Sequence, residues 1–186
     1  MHTLISTLQK TYNATAADTT RPDQTFLTVL PHHVRPVLLA LRDTHGFSHL
    51  SFMTAVDQIE DGQFVLLYML NQPDRHWDIG LQTRISRTDA TMESMHDLWA
   101  HLATHQRELY EMFGISFPGS PGMTEDFILE GVPGCPPMRR DFDTLAFAEE
   151  LFPSRPGRFT HDPAEYKKQR LAEQAAARPV EKGTPE

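Results

Sequence analysis

The side chains best spaced for chemistry are His101, His105 and Glu108. Steps of four and three put two imidazoles and a carboxylate on one face of a helix, the ligand types of a two-histidine, one-carboxylate metal site. Three ligands from one straight helix do not readily converge on one ion without a further element, so histidines facing solvent or a partner are the competing reading. Arg107 and Glu111 lie i,i+4 in the same stretch, a pairing worth only about 0.2–0.5 kcal/mol on an exposed helix face. Gly131 and Gly134 make no phosphate loop, because no Gly-Lys-Ser/Thr follows them, and no nucleophile stands at a familiar spacing from a base. No catalytic and no cofactor-binding residue is therefore expected in this chain. The single cysteine, Cys135, cannot form an internal disulfide or by itself hold an iron–sulfur cluster or a structural zinc.

The element that must carry these side chains is a long amphipathic helix. Met95, Leu98, Trp99, Leu102, Leu109, Met112 and Phe113 fall on one stripe, which predicts a helix buried along that face. Ser94 and Asp97 are spaced to cap its start, and Gly114 to close it in the left-handed conformation. Upstream, Leu4, Ile5, Leu8 and Tyr12 predict a short helix followed by a loop to Pro22. A strand is expected over 26–30 and a helix over 33–44, with Pro36 in its first turn and Gly46 after it. Strands are then expected over 49–56, 63–70 and 77–85, separated by Glu60-Asp61-Gly62 and Asn71-Gln72-Pro73-Asp74. The order points to an α+β fold, a small four-stranded, mostly antiparallel sheet covered by helices.

Ten of the fourteen prolines and seven of the ten glycines follow Phe113, so the rest of the chain is expected to be extended rather than helical. Phe117, Met123, Phe127, Ile128, Leu129, Met138, Phe142, Leu145 and Phe147 need a surface to bury against, which an arm lying across another protein would supply. The expected divisions are an N-terminal helix and loop (1–22), an α+β domain (23–117), an extended partner-binding arm (118–160) and a helical or frayed tail (161–186), with a helix over 164–177. A formal charge of -8 and no basic stripe argue against nucleic acid. The N-terminus lacks the pattern of a leader, and the longest apolar run, 64–70, is far short of a spanning helix, so contact with a membrane is expected only through partners.

The run Arg-Glu-Leu-Tyr-Glu-Met-Phe-Gly-Ile at 107–115, then Phe117 and Gly119, then Gly-Cys-Pro-Pro-Met-Arg-Arg-Asp at 134–141, resembles the 30 kDa subunit family of respiratory complex I, the C subunit of NADH-quinone oxidoreductase. Related subunits of group 4 membrane-bound nickel–iron hydrogenases share looser versions of these motifs. The resemblance covers about residues 25–145. The chain departs from the family pattern at Gln106, where glutamate is usual, and lacks the histidines of two Gly-His-Pro triplets at 119–121 and 134–136. The resemblance implies a non-catalytic scaffold subunit in the peripheral arm of a proton-translocating NADH:quinone oxidoreductase, or its hydrogenase counterpart, on the cytoplasmic side of the inner membrane. It implies no cofactor in this chain, with iron–sulfur clusters and FMN, or a nickel–iron centre, in partner subunits. The implied partners are a large quinone-site subunit of the 49 kDa type and a small iron–sulfur subunit. Carried over by position, Arg107, Glu108, Tyr110, Phe113 and Gly114 would anchor the helix end, and Arg139, Arg140 and Asp141 would meet the neighbouring subunit.

Overall fold

Alternating burial along three ten-residue strands sets the layout. β1 (Thr15–Ala17) and β2 (Gln24–Val29) precede β3 (His49–Gln58), β4 (Gln63–Gln72) and β5 (Trp77–Ser86), and the last three form the expected antiparallel meander. The inward row is Met53, Ala55 and Asp57 on β3, Phe64, Leu66, Tyr68 and Leu70 on β4, and Ile79, Leu81, Thr83 and Ile85 on β5. Gly62, at φ 63°, takes the left-handed conformation that the tight β3–β4 connection requires. β2 runs parallel to β5 and adds Leu27 and Val29 to the same core, so the sheet is mixed. Four strands are expected from the sequence pattern and, among the described residues, five are present, in the order β1-β2-β5-β4-β3. The extra strand, β1, lies in the stretch expected to be loop. Three residues carry too little pattern to announce a strand, and the backbone bonds to β2 decide it.

The helices are α1 (His2–Tyr12), α2 (Val34–Leu39), continued by a wider turn to Thr44, and α3 (Leu102–Phe113). Val34, Val37, Leu38 and Leu41 are fully buried, with Pro36 near the helix start as expected. α3 starts later than expected, at Leu102 rather than beside Ser94. Instead of capping a helix, the Ser94 hydroxyl accepts a 3.4 Å bond from the His96 amide and donates a 2.7 Å bond to Gln106 Oε1 on α3. Trp99 Nε1 donates to the Ser48 carbonyl at 2.9 Å. Residues 95–101 thus run as turns that serve distant partners, while their apolar side chains keep the helical burial stripe that suggested a longer helix. The end of α3 is as expected, with Gly114 at φ 71° and its amide returning to the Tyr110 carbonyl. Phe113 meets Phe64 edge to face at 5.9 Å, seating α3 against the inward face of the sheet.

The computed structural model describes residues 2–17, 21–129, 136–151, 167–168 and 170–172. Residues 1–142 form one compact unit and 143–186 a second. In the second, α4 (Thr144–Leu151) replaces the extended chain expected there. Asp143 Oδ1 accepts the Leu145 and Ala146 amides at 3.0 Å each, and the helix formers that follow contain no proline before 152. Cys135 and most of the helix expected over 164–177 lie outside the described residues, of which 167–168 and 170–172 are helical. Among the described residues no helix is long and apolar enough to cross a membrane.

Candidate functional site

The three residues with metal-ligand spacing do not converge. The His101 and His105 rings stand edge to face with centroids 5.9 Å apart, and His101 Nε2 lies 3.0 Å from the Leu50 carbonyl at the sheet edge. His105 Nδ1 is 3.9 Å from Glu108, and burial lowers the pKa of the imidazole against the pull of that carboxylate. Among the described residues no three His, Cys, Asp or Glu side chains are placed to share an ion. A cavity of about 530 Å³ opens between α1 and the β4–β5 turn, lined by Thr3, Thr7, His45, Gln72, Arg75 and Trp77 among others. Among the described residues its lining includes neither a carboxylate nor a cysteine.

The motif residues meet instead at the C-terminal end of α3, where the chain folds back in two passes. The first pass, 117–129, is held by Glu111, whose carboxylate accepts the amides of Phe127, Ile128 and Leu129 at 2.8, 2.9 and 3.2 Å. Burial would raise the pKa of Glu111, but the three amides and the charge of Arg107 outweigh it and hold it below the ordinary value. Arg107 lies 5.1 Å above the Phe127 ring and 3.4 Å from Glu125, so it pairs outside the helix rather than with Glu111 at i,i+4 as its spacing suggested. Phe117 is fully buried, and its amide points at Met123 Sδ 3.0 Å away.

The second pass, residues 136–142, crosses the end of the sheet as a strap. The Met138 amide donates to the Met112 carbonyl at 3.0 Å, and Arg139 Nε to the Phe113 carbonyl at 2.7 Å, one of the carbonyls the helix end leaves open. The Arg139 guanidinium lies 5.3 Å above Phe64, and a side chain at Gly114 would come within 3.1 Å of it. At the centre is Asp57, with only 2% of its side chain exposed. Its carboxylate takes Arg87 Nε at 2.9 Å, Arg87 Nη2 at 3.2 Å and the Arg140 amide at 2.9 Å. Asp141 binds the same Arg87 guanidinium, and Arg140 reaches Glu60 at 2.5–2.6 Å. Burial alone would raise the pKa of Asp57; the bonds from Arg87 and the Arg140 amide, with the guanidinium charge, bring it below the usual carboxylate range.

The residues expected to meet a partner are therefore distributed in a definite way. Phe113 is buried, and Gly114 is half-buried beneath Arg139. Arg107, Arg139, Arg140 and Asp141 all make bonds within this unit, so over its described residues, 118–129 and 136–142, the arm expected to leave the domain at 118 has its own domain as a surface. Tyr110 and Glu108 are left at the outer side of α3. Sequence reasoning missed Asp57, Arg87 and Glu60. One signal was available: on β3 the inward alternation Met53, Ala55, Asp57 places a carboxylate where an apolar side chain belongs, which demands a buried cation.

The model of the family described as respiratory-chain NADH dehydrogenase, 30 Kd subunit, matches residues 27–148. The chain belongs to that family. Its relatives include the C/D subunit of NADH-quinone oxidoreductase from Pseudomonas fluorescens, 29% identical over 82% of this chain and 23% of that protein. The C subunit of the same enzyme from Novosphingobium aromaticivorans is 26% identical over 81% of this chain and 48% of its own length. The chain thus spans less than half the length of these two relatives. Among solved structures, a chain of the membrane-bound sulfane sulfur reductase (MBS), an archaeal respiratory membrane complex, aligns with a TM-score of 0.76 and 26% identity, over 87% of this chain and 95% of that one. The trypsin-resistant fragment (1-134) of Nqo5 shares the fold, with a TM-score of 0.57 at 18% identity over 64% of this chain and 96% of the fragment.

Proposed function

We propose that the chain is a scaffold subunit in the peripheral arm of a proton-translocating NADH:quinone oxidoreductase, holding quinone-site and iron–sulfur subunits together while electrons pass from NADH to quinone. The observation that carries this reading is the family match, which takes in the whole meander, α3 and the strap. The chain supplies no redox group; FMN and iron–sulfur clusters belong to its partners, and it reaches the cytoplasmic face of the membrane through them. The C/D relative, a single polypeptide of which this chain matches 23%, supports a large neighbour beside this domain, in the place the resemblance gives to the quinone-site subunit. A second reading makes the chain the counterpart subunit of a complex of the sulfane sulfur reductase or group 4 hydrogenase kind. It is favoured by the archaeal respiratory complex, whose subunit is matched over 95% of its length.

The test is extraction of host membranes in mild detergent through a tag on this chain, with identification of the co-purifying subunits and assays of NADH:quinone, hydrogen and sulfur-reducing activity. Flavin and quinone-site partners with NADH oxidation support the first reading. Nickel-binding partners with hydrogen activity, or sulfur reduction without NADH oxidation, move the chain to the second. A chain recovered without partners overturns both.

A further inference from the structure

The cavity of about 530 Å³ between α1 and the β4–β5 turn shares no lining residue with the strap or with the motif at the end of α3. Arg75 lines it, and this arginine differs from the others. Arg35, Arg42, Arg87 and Arg140 each meet a carboxylate, and Arg139 closes the end of α3. Among the described residues the Arg75 guanidinium has neither a carboxylate nor a hydrogen bond. It lies 5.1 Å above the Trp77 ring, a contact that orients the fork and leaves its N–H donors open. Asp74, in the same turn, is exposed and does not line the cavity, and Asp78 accepts a 2.7 Å bond from Asn71 Nδ2. Thr3 and Leu4, also in the lining, belong to the first turn of α1, which holds no acidic side chain and whose amides lack acceptors within the helix. Gln72 adds a second kind of open group. It is only 9% exposed, its Nε2 donates to the His45 carbonyl at 3.0 Å, and its Oε1 is buried with no partner among the described residues. A buried acceptor left without a donor is uncommon and calls for one from outside the chain.

We propose that this cavity binds a small, water-soluble organic phosphomonoester. The phosphate takes the free Arg75 fork and the positive end of α1, two donor sets that suit a group carrying about two negative charges and three acceptor oxygens. A hydroxyl on the body of the ligand supplies the donor that Gln72 Oε1 lacks, and Thr7, Thr44 and His45 line the space around that body. The volume lies within the range of about 300–1,000 Å³ usual for small-molecule sites, so it accommodates more than a phosphate alone. The site goes beyond the scaffold reading and does not rest on it.

The experiment is calorimetric titration of the full chain with ribose 5-phosphate and AMP, beside inorganic phosphate, neutral ribose and adenosine, and the carboxylate ribonate. Both phosphomonoesters are expected to bind at least tenfold more tightly than any of the other four, and added salt should weaken them. On the nitrogen-labelled chain the Trp77 indole and the Gln72 side-chain amide signals should move with the phosphomonoester while the Trp99 indole stays still. Arg75→Gln, at an exposed turn position, should keep the melting temperature and lose at least tenfold in affinity, whereas Arg84→Gln, which removes an exposed arginine paired with Asp61, should change nothing. The signal map is read on the unaltered chain, so it decides the matter even if Arg75→Gln fails to fold. Absence of binding, shifts at Trp99 without Trp77, equal affinity for ribonate or the neutral compounds, a folded Arg75→Gln that binds normally, or binding to phosphatidate vesicles without binding to the soluble esters would overturn the inference. None of these readings involves partner subunits or electron transfer, so its failure is separate from failure of the scaffold reading.

Discussion

β4 puts Phe64, Leu66, Tyr68 and Leu70 into the core with no measurable exposure, whereas the strap over 136–142 is fastened to the same unit by polar atoms: two carbonyls at the end of α3, one buried carboxylate and one shared guanidinium. The two regions are stabilised differently. A fully buried large apolar side chain contributes about 1.5–3 kcal/mol, and a row of four sustains a sheet with little help. A hydrogen bond adds about 0.5–1.5 kcal/mol net, but removing one partner from a buried charged group costs several times that. The sheet should therefore unfold as a whole, and the strap should open as a separate, smaller unit.

Asp57→Ala should break the strap most severely. It leaves the Arg140 amide without its acceptor and Arg87, with 15% of its side chain exposed, with Asp141 as its remaining partner, so the cost should fall toward the lower end of the about 3–5 kcal/mol that an unpaired buried charge carries. Amide hydrogen exchange would show residues 138–140 exchanging at loop rates while β4 stays protected. Leu66→Ala, at about 2–5 kcal/mol, should instead lower protection of sheet and strap together, because it removes part of their common foundation. If Asp57→Ala left the strap protected, apolar contacts would be its real fastening and the contrast would be lost.

Glu111→Gln is the next smaller step. The amide side chain keeps one acceptor oxygen for three backbone donors and loses its charge, so about 1–3 kcal/mol should disappear from the 127–129 segment alone. Acid should reproduce both effects. Asp57 and Glu111 titrate below their ordinary values, so the stability they contribute is complete above the usual carboxylate pKa of about 4 and is lost as pH falls through the lower native values. Pepsin digestion in that acid range should cut at 127–142 while the circular dichroism of the sheet persists. His105 gives a gentler slope earlier: its native pKa lies below the free value, so the unfolded chain protonates first and stability declines as pH drops under about 6.5.

The same contrast explains what the sequence could tell. The meander was legible because alternation and the turn residues at Gly62 and Pro73 are local signals, and Gly114 marked the helix end for the same reason. The family signature at 107–115 and 134–141 was legible as a pattern, but not where its side chains go. Arg140 meets Asp57 across 83 residues and Arg87 meets Asp141 across 54, and no spacing rule connects such pairs. β1 was hidden because its only argument is an edge of β2 to pair with, and the start of α3 because Ser94 and Trp99 bond to distant atoms instead of capping.

The smallest expected effect is also the sharpest. Arg140 and Glu60 form a close ion pair at the strap, yet 52% and 67% of their side chains remain in water, where screening and side-chain entropy cancel most of the attraction. The Arg140 amide, not its guanidinium, reaches the buried carboxylate. Arg140→Ala should therefore leave hydrogen exchange of the strap unchanged, whereas Arg140→Pro, which removes the amide hydrogen, should open it much as Asp57→Ala does. Opening by both to the same extent would show that the exposed pair is the true fastening. Opening by neither would place the hold of the strap in Arg139 and Asp141, with Asp57 serving Arg87 alone.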